Sequence, residues 1–161
     1  MKKIPISGGS RWYPILTGKF ALVDDDFEWL NKFKWCSESS VGYARNRKLG
    51  KMHRLIMGNP LGKFIDHINH NTLDNRKSNL RICTNRQNHQ NTLIHKTNKV
   101  GYKGVSWHKS KWETRIRFND KKLYIGEFNN KLHAAMAYDI WAKELYGEYA
   151  SLNFPLLECP H

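Results

Sequence analysis

The C-terminal third of the chain has the clearest alternation of hydrophobic and polar residues. In the segment KWETRIRF, which starts at position 111, hydrophobic residues or threonine alternate with charged residues. A period of two predicts a strand with one buried face. Asn119 and Asp120 predict a turn, and KKLYIGEF after them predicts the second strand of a hairpin. The upstream segment GYKGVSW predicts a third strand, so we expect a three-stranded antiparallel sheet.

A helix is predicted directly after this sheet. Its apolar stripe consists of Ala134, Tyr138, Trp141 and Leu145. Asn130 is a residue type that caps helix starts, and Gly147 is one that ends helices. The exposed face of the sheet would be basic. That face fits contact with the major groove of DNA, and it also fits a solvated charged surface.

The first half of the chain has shorter patterns. Residues 1 to about 50 predict short β segments and turns, in the segments KFALVDD, FEWLNKFKW and GYARNRK. The three consecutive aspartates at 24–26 are interpreted as a turn or helix cap rather than a metal site. The polar segment HKTNKV lacks apolar periodicity and predicts a linker at 96–100. It separates an N-terminal part, 1–95, from a domain at 101–155, which a short tail at 156–161 follows.

The charge of the chain indicates its class of partner. There are 27 Lys and Arg against 14 Asp and Glu in 161 residues, a formal charge of +13. This excess favours a polyanion, and double-stranded DNA is the leading candidate. No run of about 18 apolar residues predicts a membrane span, and the N-terminus has no apolar segment of signal-peptide length. We therefore expect an intracellular protein without a membrane partner.

The three cysteines, at positions 36, 83 and 159, are too scattered for a zinc ribbon or a disulfide framework. A metal site without zinc would use oxygen and nitrogen ligands. In the segment FIDHINHNTLDNRKSNLRICTNRQNHQN, Asp66 and His67 are adjacent candidates for phosphodiester hydrolysis. On a regular strand their side chains would point to opposite faces, so a shared site needs a twisted or bulged strand end.

Further along this segment, the spacing of Thr84 and Gln87 is that of a capping box. It predicts a helix that begins at about Asn85, with Asn88 placed to return toward Asp66 and share a cation. Oxygen ligands of this kind suit Mg²⁺ or Mn²⁺. Asn79 is a candidate to tie the preceding loop together through its side-chain amide, while the other loop asparagines fit turns.

The ordered set of Asp66, His67, Asn79 and Asn88 resembles the HNH nuclease motif in the variant that ends in Asn. The similarity extends to MHRLIMG and to LTGKFALVDDDFEWLNKFKW, and it is typical of phage- and intron-associated HNH homing endonucleases. The resemblance implies a ββα-metal core at about 52–93, with His67 as general base and Asn79 as a brace. It also implies that Asp66 and Asn88 bind the metal. Four basic residues are candidates for phosphate contacts near the cut, or for a solvated face: Arg76, Lys77, Arg81 and Arg86.

The segment from GYKGVSW to LNFP resembles an AP2/ERF DNA-binding domain. Matching features include Tyr102-Lys103-Gly104-Val105, Tyr124-Ile125-Gly126 and the closing Leu152-Asn153-Phe154-Pro155. The resemblance implies a sheet that lies in the major groove. It places DNA contacts at Lys103, Ser106, His108, Arg115, Arg117, Lys122, Tyr124 and Tyr138. Arg115 stands where the plant family usually has glutamate, so the plant target sequence is not carried over.

Together these patterns predict an α+β chain with a β-rich N-terminal segment, an HNH module, and a three-stranded sheet with one helix. The expected function is site-specific, divalent-metal-dependent cleavage of double-stranded DNA by a homing endonuclease. Two alternatives stay open, a DNA-binding regulator with an inactive nuclease site and a structural nucleic-acid-binding protein. A monomer with one active site would nick DNA and a dimer would break both strands, and the sequence leaves both open.

Overall fold

The computed structural model describes residues 1–8, 15–37 and 42–155, and the chain divides into two compact units, residues 1–88 and 89–161. The boundary lies before the predicted linker, because the linker residues fold with the second unit. The Asn98 side chain accepts hydrogen bonds from the backbone N–H groups of Val100, at 2.8 Å, and Gly101, at 2.9 Å. Val100 also packs against the hydrophobic core of that unit.

The first unit contains a five-stranded sheet. Its strands are β1 (Lys2–Gly8), β2 (Ile15–Val23), β3 (Trp35–Ser37), β4 (Ala44–Asn46) and β5 (Gly50–Lys51). Their order in the sheet is β2-β1-β3-β4-β5, and β1 with β3 is its only parallel pair among the described residues. The sheet confirms the β-rich character predicted for this part of the chain.

A 3₁₀ helix at Asp25–Lys32 connects β2 to β3, where the sequence predicted only strands and turns. Its N-cap residue is Asp24, the first of the three aspartates, but the Asp24 side chain makes no capping hydrogen bond. The helix buries Leu30, whose carbonyl accepts a hydrogen bond from the indole N–H of buried Trp35 at 2.9 Å. The indole is thereby satisfied inside the core, and it joins the helix to the sheet.

The segment that carries the candidate chemistry follows β5. It comprises α1 (Met52–Ile56), β6 (Phe64–His67), a 3₁₀ helix (Lys77–Asn79), β7 (Leu80–Cys83) and α2 (Asn85–Gln90). Strands β6 and β7 form an antiparallel pair, and Ile65 and Leu80 join the same hydrophobic core as the five-stranded sheet. The chain order is therefore strand, strand, helix.

The second unit contains the predicted sheet and helix. Its elements are β8 (Val105–His108), β9 (Lys111–Phe118), β10 (Lys121–Phe128) and α3 (Lys131–Tyr146), with a 3₁₀ turn at Gly147–Tyr149. Strand β9 lies in the centre of the antiparallel sheet. The Asn130 side chain accepts a hydrogen bond from the N–H of Leu132 at 2.7 Å, and Gly147 ends the helix, so both predicted caps are confirmed.

Two details of the second unit differ from the sequence pattern. Trp141 of the predicted apolar stripe is 44% exposed, whereas Ala135 and Ala142 are buried. Small residues lie against the sheet because they allow the helix to approach it closely. Glu113, expected on the exposed basic face, is only 6% exposed because it pairs with Arg115. In the described part of the chain, no helix has the length and apolar character needed to cross a membrane.

Gly104 provides a test of the packing between α3 and the sheet. It has φ of 71°, and a Cβ there would lie 2.6 Å from the carbonyl oxygen of Arg115 and would overlap the ring of Tyr138. We expect Gly104→Ala to destabilise the second unit by about 3 kcal/mol, because neither the backbone nor the buried ring can move away. Thermal unfolding followed by circular dichroism measures the loss.

Gly101→Ala is the matched control, because Gly101 has φ of 86° but no neighbouring atom within 4 Å of the added Cβ. It should cost only about 1 kcal/mol, the conformational part of the effect. Equal losses in the two variants would show that packing at Gly104 contributes nothing.

Candidate active site and sheet face

The loop between β6 and β7 is held together by side-chain amides. The Asn79 side chain accepts from the N–H of Asn69 at 3.0 Å and donates to the carbonyl of Asp74 at 2.8 Å. Asn69 and Asn71 each accept a backbone N–H two residues ahead. These Asx turns replace the hydrogen bonds that a regular strand would make, so Asn79 lies where it can tie the loop together.

The loop is also attached to the edge of the five-stranded sheet. The N–H of Leu22 donates to the carbonyl of Leu73, and the N–H of Asn75 donates to the carbonyl of Leu22, both at 2.8 Å. Asp74 is 2% exposed and forms an ion pair with Arg76 at 2.6 Å. Hydrogen bonds from Arg76 are the main reason that the pKa of Asp74 is lowered. The Asp74 carboxylate is therefore charged and is held within the loop by Arg76 and Asn69.

Asn75 connects this loop to His67. Its amide nitrogen donates to the carbonyl of Leu73 at 3.2 Å, which turns the amide oxygen toward Nε2 of His67 at 3.3 Å. This arrangement assigns the Nε2–H of His67 as the donor, so Nδ1 of the neutral ring carries the lone pair. Both residues are buried.

Two rings, those of His53 and Tyr43, lie against the candidate base. His53 lies edge-on to His67, with ring centroids 5.1 Å apart, and Tyr43 lies 4.8 Å from His53 and 5.7 Å from His67. Burial lowers the pKa of His53 to about 3, and nearby positive charge acts in the same direction. Burial likewise lowers the pKa of His67, although the hydrogen bond with Asn75 opposes it. Both imidazoles are therefore neutral at pH 7.

Asp66 faces Arg81 across the two-stranded sheet. The guanidinium donates from Nε and Nη2 to Oδ2 of Asp66, at 2.9 and 2.8 Å. The pairing of β6 with β7 is regular up to His67, so adjacent Asp66 and His67 leave the strand on opposite faces. The pairing of β6 with β7 contains no bulge, one of the two distortions that would allow a shared site. A turn begins at His67 instead, closed by the N–H of His70.

Helix α2 begins with the capping box that the sequence predicted. The N–H of Thr84 donates to the side-chain oxygen of Gln87 at 2.8 Å, and the N–H of Gln87 donates to the Thr84 hydroxyl at 3.2 Å. Asn88 is half-buried on this helix. Its joint action with Asp66 on one cation stays a prediction.

The donors available here suit a hard cation. Asp66 supplies a carboxylate and Asn88 an amide oxygen, a set that Mg²⁺ or Mn²⁺ can complete with water and substrate phosphate. Among the described residues, no group of three or more His, Cys, Asp and Glu comes together to hold an ion. The carboxylate and amide oxygens fit a hard cation, and Arg81 would compete with it for Asp66.

The basic candidates of the first unit differ in what they contact. Arg76 pairs with Asp74, and Arg81 pairs with Asp66 while its side chain is only 11% exposed. Lys77 is exposed, with its ammonium 5.0 Å from the ring centroid of Phe27, and Arg86 is exposed on α2. Lys77 and Arg86 are thus the more exposed of the four candidates for phosphate contact.

The exposed face of the sheet retains most of the predicted DNA contacts. Six of the predicted residues are exposed: Ser106, His108, Arg115, Arg117, Lys122 and Tyr124. Tyr138 is instead buried on α3, against Gly104. The ammonium of Lys103 donates to the carbonyls of Thr92, at 2.6 Å, and Ser151, at 3.2 Å, and burial lowers its pKa to about 8. We therefore leave Tyr138 and Lys103 out of the candidate interface.

Sequence reasoning missed three residues around His67. Asn75 is one of the loop asparagines that fit turns, and neither His53 nor Tyr43 belongs to the predicted site. The only available signal was residue type, because Tyr43, just before β4, and His53, in α1, are distant from His67 in sequence. A spacing rule detects neighbours within one element, and these contacts depend on how separate elements pack.

Comparisons with known proteins agree with the two parts of the chain. A family model described as HNH endonuclease matches residues 51–90. An uncharacterized HNH endonuclease of Acanthamoeba polyphaga mimivirus is 35% identical over 145 residues, which cover 84% of this chain and 75% of the relative. Protein 3.8 of Escherichia phage T7 is 30% identical over 97 residues, or 56% of this chain and 76% of that protein. The C-terminal part matches a dehydration-responsive element-binding protein of Arabidopsis thaliana, 42% identical over 57 residues, or 34% of this chain and 17% of that protein.

The buried His53 predicts an acid-sensitive fold. Its pKa is about 3 in the folded chain and 6.5 when unperturbed, so its contribution to stability is complete above pH 6.5 and declines as the pH falls toward 3. Between pH 6.5 and about 5 the loss should approach about 2 kcal/mol. We expect His53→Phe to lose less stability than wild type over this range, measured by calorimetry at several pH values.

His95→Phe serves as the control, because His95 is exposed. Its stability should follow wild type with pH. Parallel pH curves for His53→Phe and wild type would contradict a buried neutral imidazole at position 53.

Proposed function

Because this chain belongs to the HNH endonuclease family and its C-terminal part is AP2-like, we propose that it is a metal-dependent endonuclease that cuts double-stranded DNA at specific sites. The observation that carries this proposal is the buried His67, which contacts Asn75 and follows Asp66 in sequence at the end of β6, within the segment that matches the family model. The architecture is typical of homing endonucleases, and we include that biological role in the proposal.

His67 is the proposed general base. Its neutral ring, with the proton fixed on Nε2 by Asn75, presents Nδ1 to accept a proton from the attacking water. The low pKa that burial gives His67 keeps this nitrogen unprotonated at neutral pH. Asn79 positions the base indirectly, because it fixes the loop on which Asn75 lies.

Asp66 and Asn88 are the proposed holders of Mg²⁺ or Mn²⁺. When bound, such an ion neutralises charge on the scissile phosphate and on the leaving 3′ oxygen. Arg81, whose guanidinium contacts the Asp66 carboxylate, keeps positive charge next to this position in the absence of an ion. Lys77 and Arg86 are proposed to bind flanking phosphates.

Recognition is assigned to the exposed face of β8, β9 and β10. Arg117 and Lys122 are directly opposite each other on β9 and β10. Two like charges in that position repel each other, and a phosphate between them relieves the repulsion. A tethered recognition unit also raises the effective concentration of the nuclease at its site.

Cleavage of supercoiled plasmids that carry a library of duplex inserts tests the nuclease. We expect nicked or linear product with Mg²⁺ or Mn²⁺, no product with EDTA, and a loss of at least about 100-fold in His67→Ala because its general base is removed. Gel analysis of the products also shows whether one strand or both are cut.

His95→Ala is a matched histidine control and should cleave at the wild-type rate. Binding of the same DNA by His67→Ala, measured in EDTA, should stay within about twofold of wild type, because an interface dominated by phosphate contacts does not depend on the His67 imidazole. Cleavage that continues in EDTA or in His67→Ala would overturn the proposed chemistry.

The contact between Asn75 and His67 gives a second prediction. Asn75→Ala should lower the cleavage rate about 10- to 100-fold with little change in DNA affinity, because the imidazole loses the partner that fixes its tautomer and orientation. Single-turnover kinetics at saturating enzyme measure the chemical step.

Asn71→Ala is the corresponding control, because Asn71 also bonds the loop backbone but is exposed and belongs to the turn. It should slow cleavage by less than about threefold. If the two asparagine variants lose activity equally, loop stability rather than the contact with His67 limits the reaction.

A further inference from the structure

We infer that Glu113 and Arg115 form a guanine-reading pair at the centre of the sheet. The inference rests on the proposed function, because it assumes that this face meets the major groove. It deepens that proposal by naming the base that is read and a carboxylate that determines specificity.

Glu113 is an acidic residue in an unusual place. It lies on the central strand β9, opposite Ser106 on β8 and Glu127 on β10, on the face that otherwise carries the basic residues. Its side chain is only 7% exposed. A buried carboxylate is unfavourable unless it is paired, so Glu113 requires a positively charged partner on this face.

Arg115 is that partner, two residues along the same strand and on the same face. Its Nε forms an ion pair with Oε1 of Glu113, and its Nη2 donates to Oε2 at 3.0 Å. Two parallel contacts of this kind hold the guanidinium plane in one orientation. The carboxylate thus occupies the Nε edge of the guanidinium, while half of the Arg115 side chain, 52%, stays exposed.

The remaining guanidinium donors match one base. Nη1 and the second hydrogen of Nη2 lie at the end of the guanidinium, spaced for two acceptors side by side. In the major groove, guanine presents O6 and N7 in that arrangement, and a bidentate arginine contact to them is the commonest specific one. Tyr124 lies opposite Arg115 on β10 and is 58% exposed, so it flanks the reading position.

Charge distinguishes this pair from a phosphate contact. Together Glu113 and Arg115 carry no net charge, so the pair adds little to the general attraction for a polyanion. Arg117 and Lys122, opposite each other on the same face, supply net positive charge instead. The central pair is therefore suited to selecting a base, and its basic neighbours to holding the backbone.

Selection of binding sites tests the inference. Full-length chain with His67→Ala, in EDTA, is used to select duplexes from a random library, which identifies the preferred site. In the same background, Glu113→Gln and Arg115→Lys should each reduce the preference for one guanine by about 5- to 150-fold, the value of one bidentate contact. Affinity for non-specific DNA should change little.

Glu127→Gln is the control for charge, because Glu127 is exposed directly opposite Glu113. It removes the same negative charge and should leave the base preference unchanged. Arg115→Lys preserves the net charge, so it tests whether the guanidinium reads guanine even if Glu113→Gln fails to fold. Circular dichroism of each variant identifies such a failure.

Base analogues in the selected DNA complete the test, because they leave the sheet of the protein unaltered. Replacing the selected guanine by 7-deazaguanine removes N7 and should weaken binding, whereas inosine keeps both O6 and N7 and should bind as guanine does. Unchanged preferences in Glu113→Gln and Arg115→Lys, or uniform loss of affinity with a smaller salt dependence, would overturn the inference alone. If the selection enriches no sequence, site-specific recognition is also removed from the proposed function. The cleavage test on His67→Ala would still decide the nuclease activity independently.

Discussion

The arrangement of the candidate active site depends on satisfying the backbone polar groups of one irregular loop. Residues 68–79 leave the two-stranded sheet and return to it, and Asp74, Asn75 and Asn79 of this loop are buried. Buried N–H and C=O groups are costly without partners. Amide side chains supply those partners, as when the Asn79 amide bonds both the N–H of Asn69 and the carbonyl of Asp74. The same loop then delivers Asn75 to His67, so scaffold and chemistry share one network.

The sequence predicted the elements of the second unit better than those of the first. The alternation in β9 and the residue types at both ends of α3 are local signals, and local signals are enough for a short antiparallel sheet with one helix. In the first unit, residues 25–32 form a 3₁₀ helix although their aromatic content favoured a strand. There the burial of Leu30 and Trp35 in a shared core decides the conformation, and such long-range packing leaves no period in the sequence.

The candidate site was predictable to the extent that it follows motif spacing. Asp66, His67, Asn79 and Asn88 belong to one ordered set, and the capping box at Thr84 and Gln87 fixes the start of the helix. The ring cluster around His67 was not predictable, because Tyr43, just before β4, and His53, in α1, come to it from elsewhere in the chain. Its effect is nevertheless large, since burial is the main cause of the low pKa of both histidines.

Three paired carboxylates change how the charge of +13 is interpreted. Asp66, Asp74 and Glu113 are buried, and each forms an ion pair with an arginine that was a candidate for DNA contact. Each pair cancels one positive charge and fixes the orientation of one guanidinium. The pair therefore weakens the long-range attraction to DNA but orients the arginine for a specific contact. A chain with so many basic residues already attracts DNA strongly. A specific contact also needs an oriented guanidinium, because a flexible cation binds any phosphate equally well. In this chain the buried acidic residues provide that orientation.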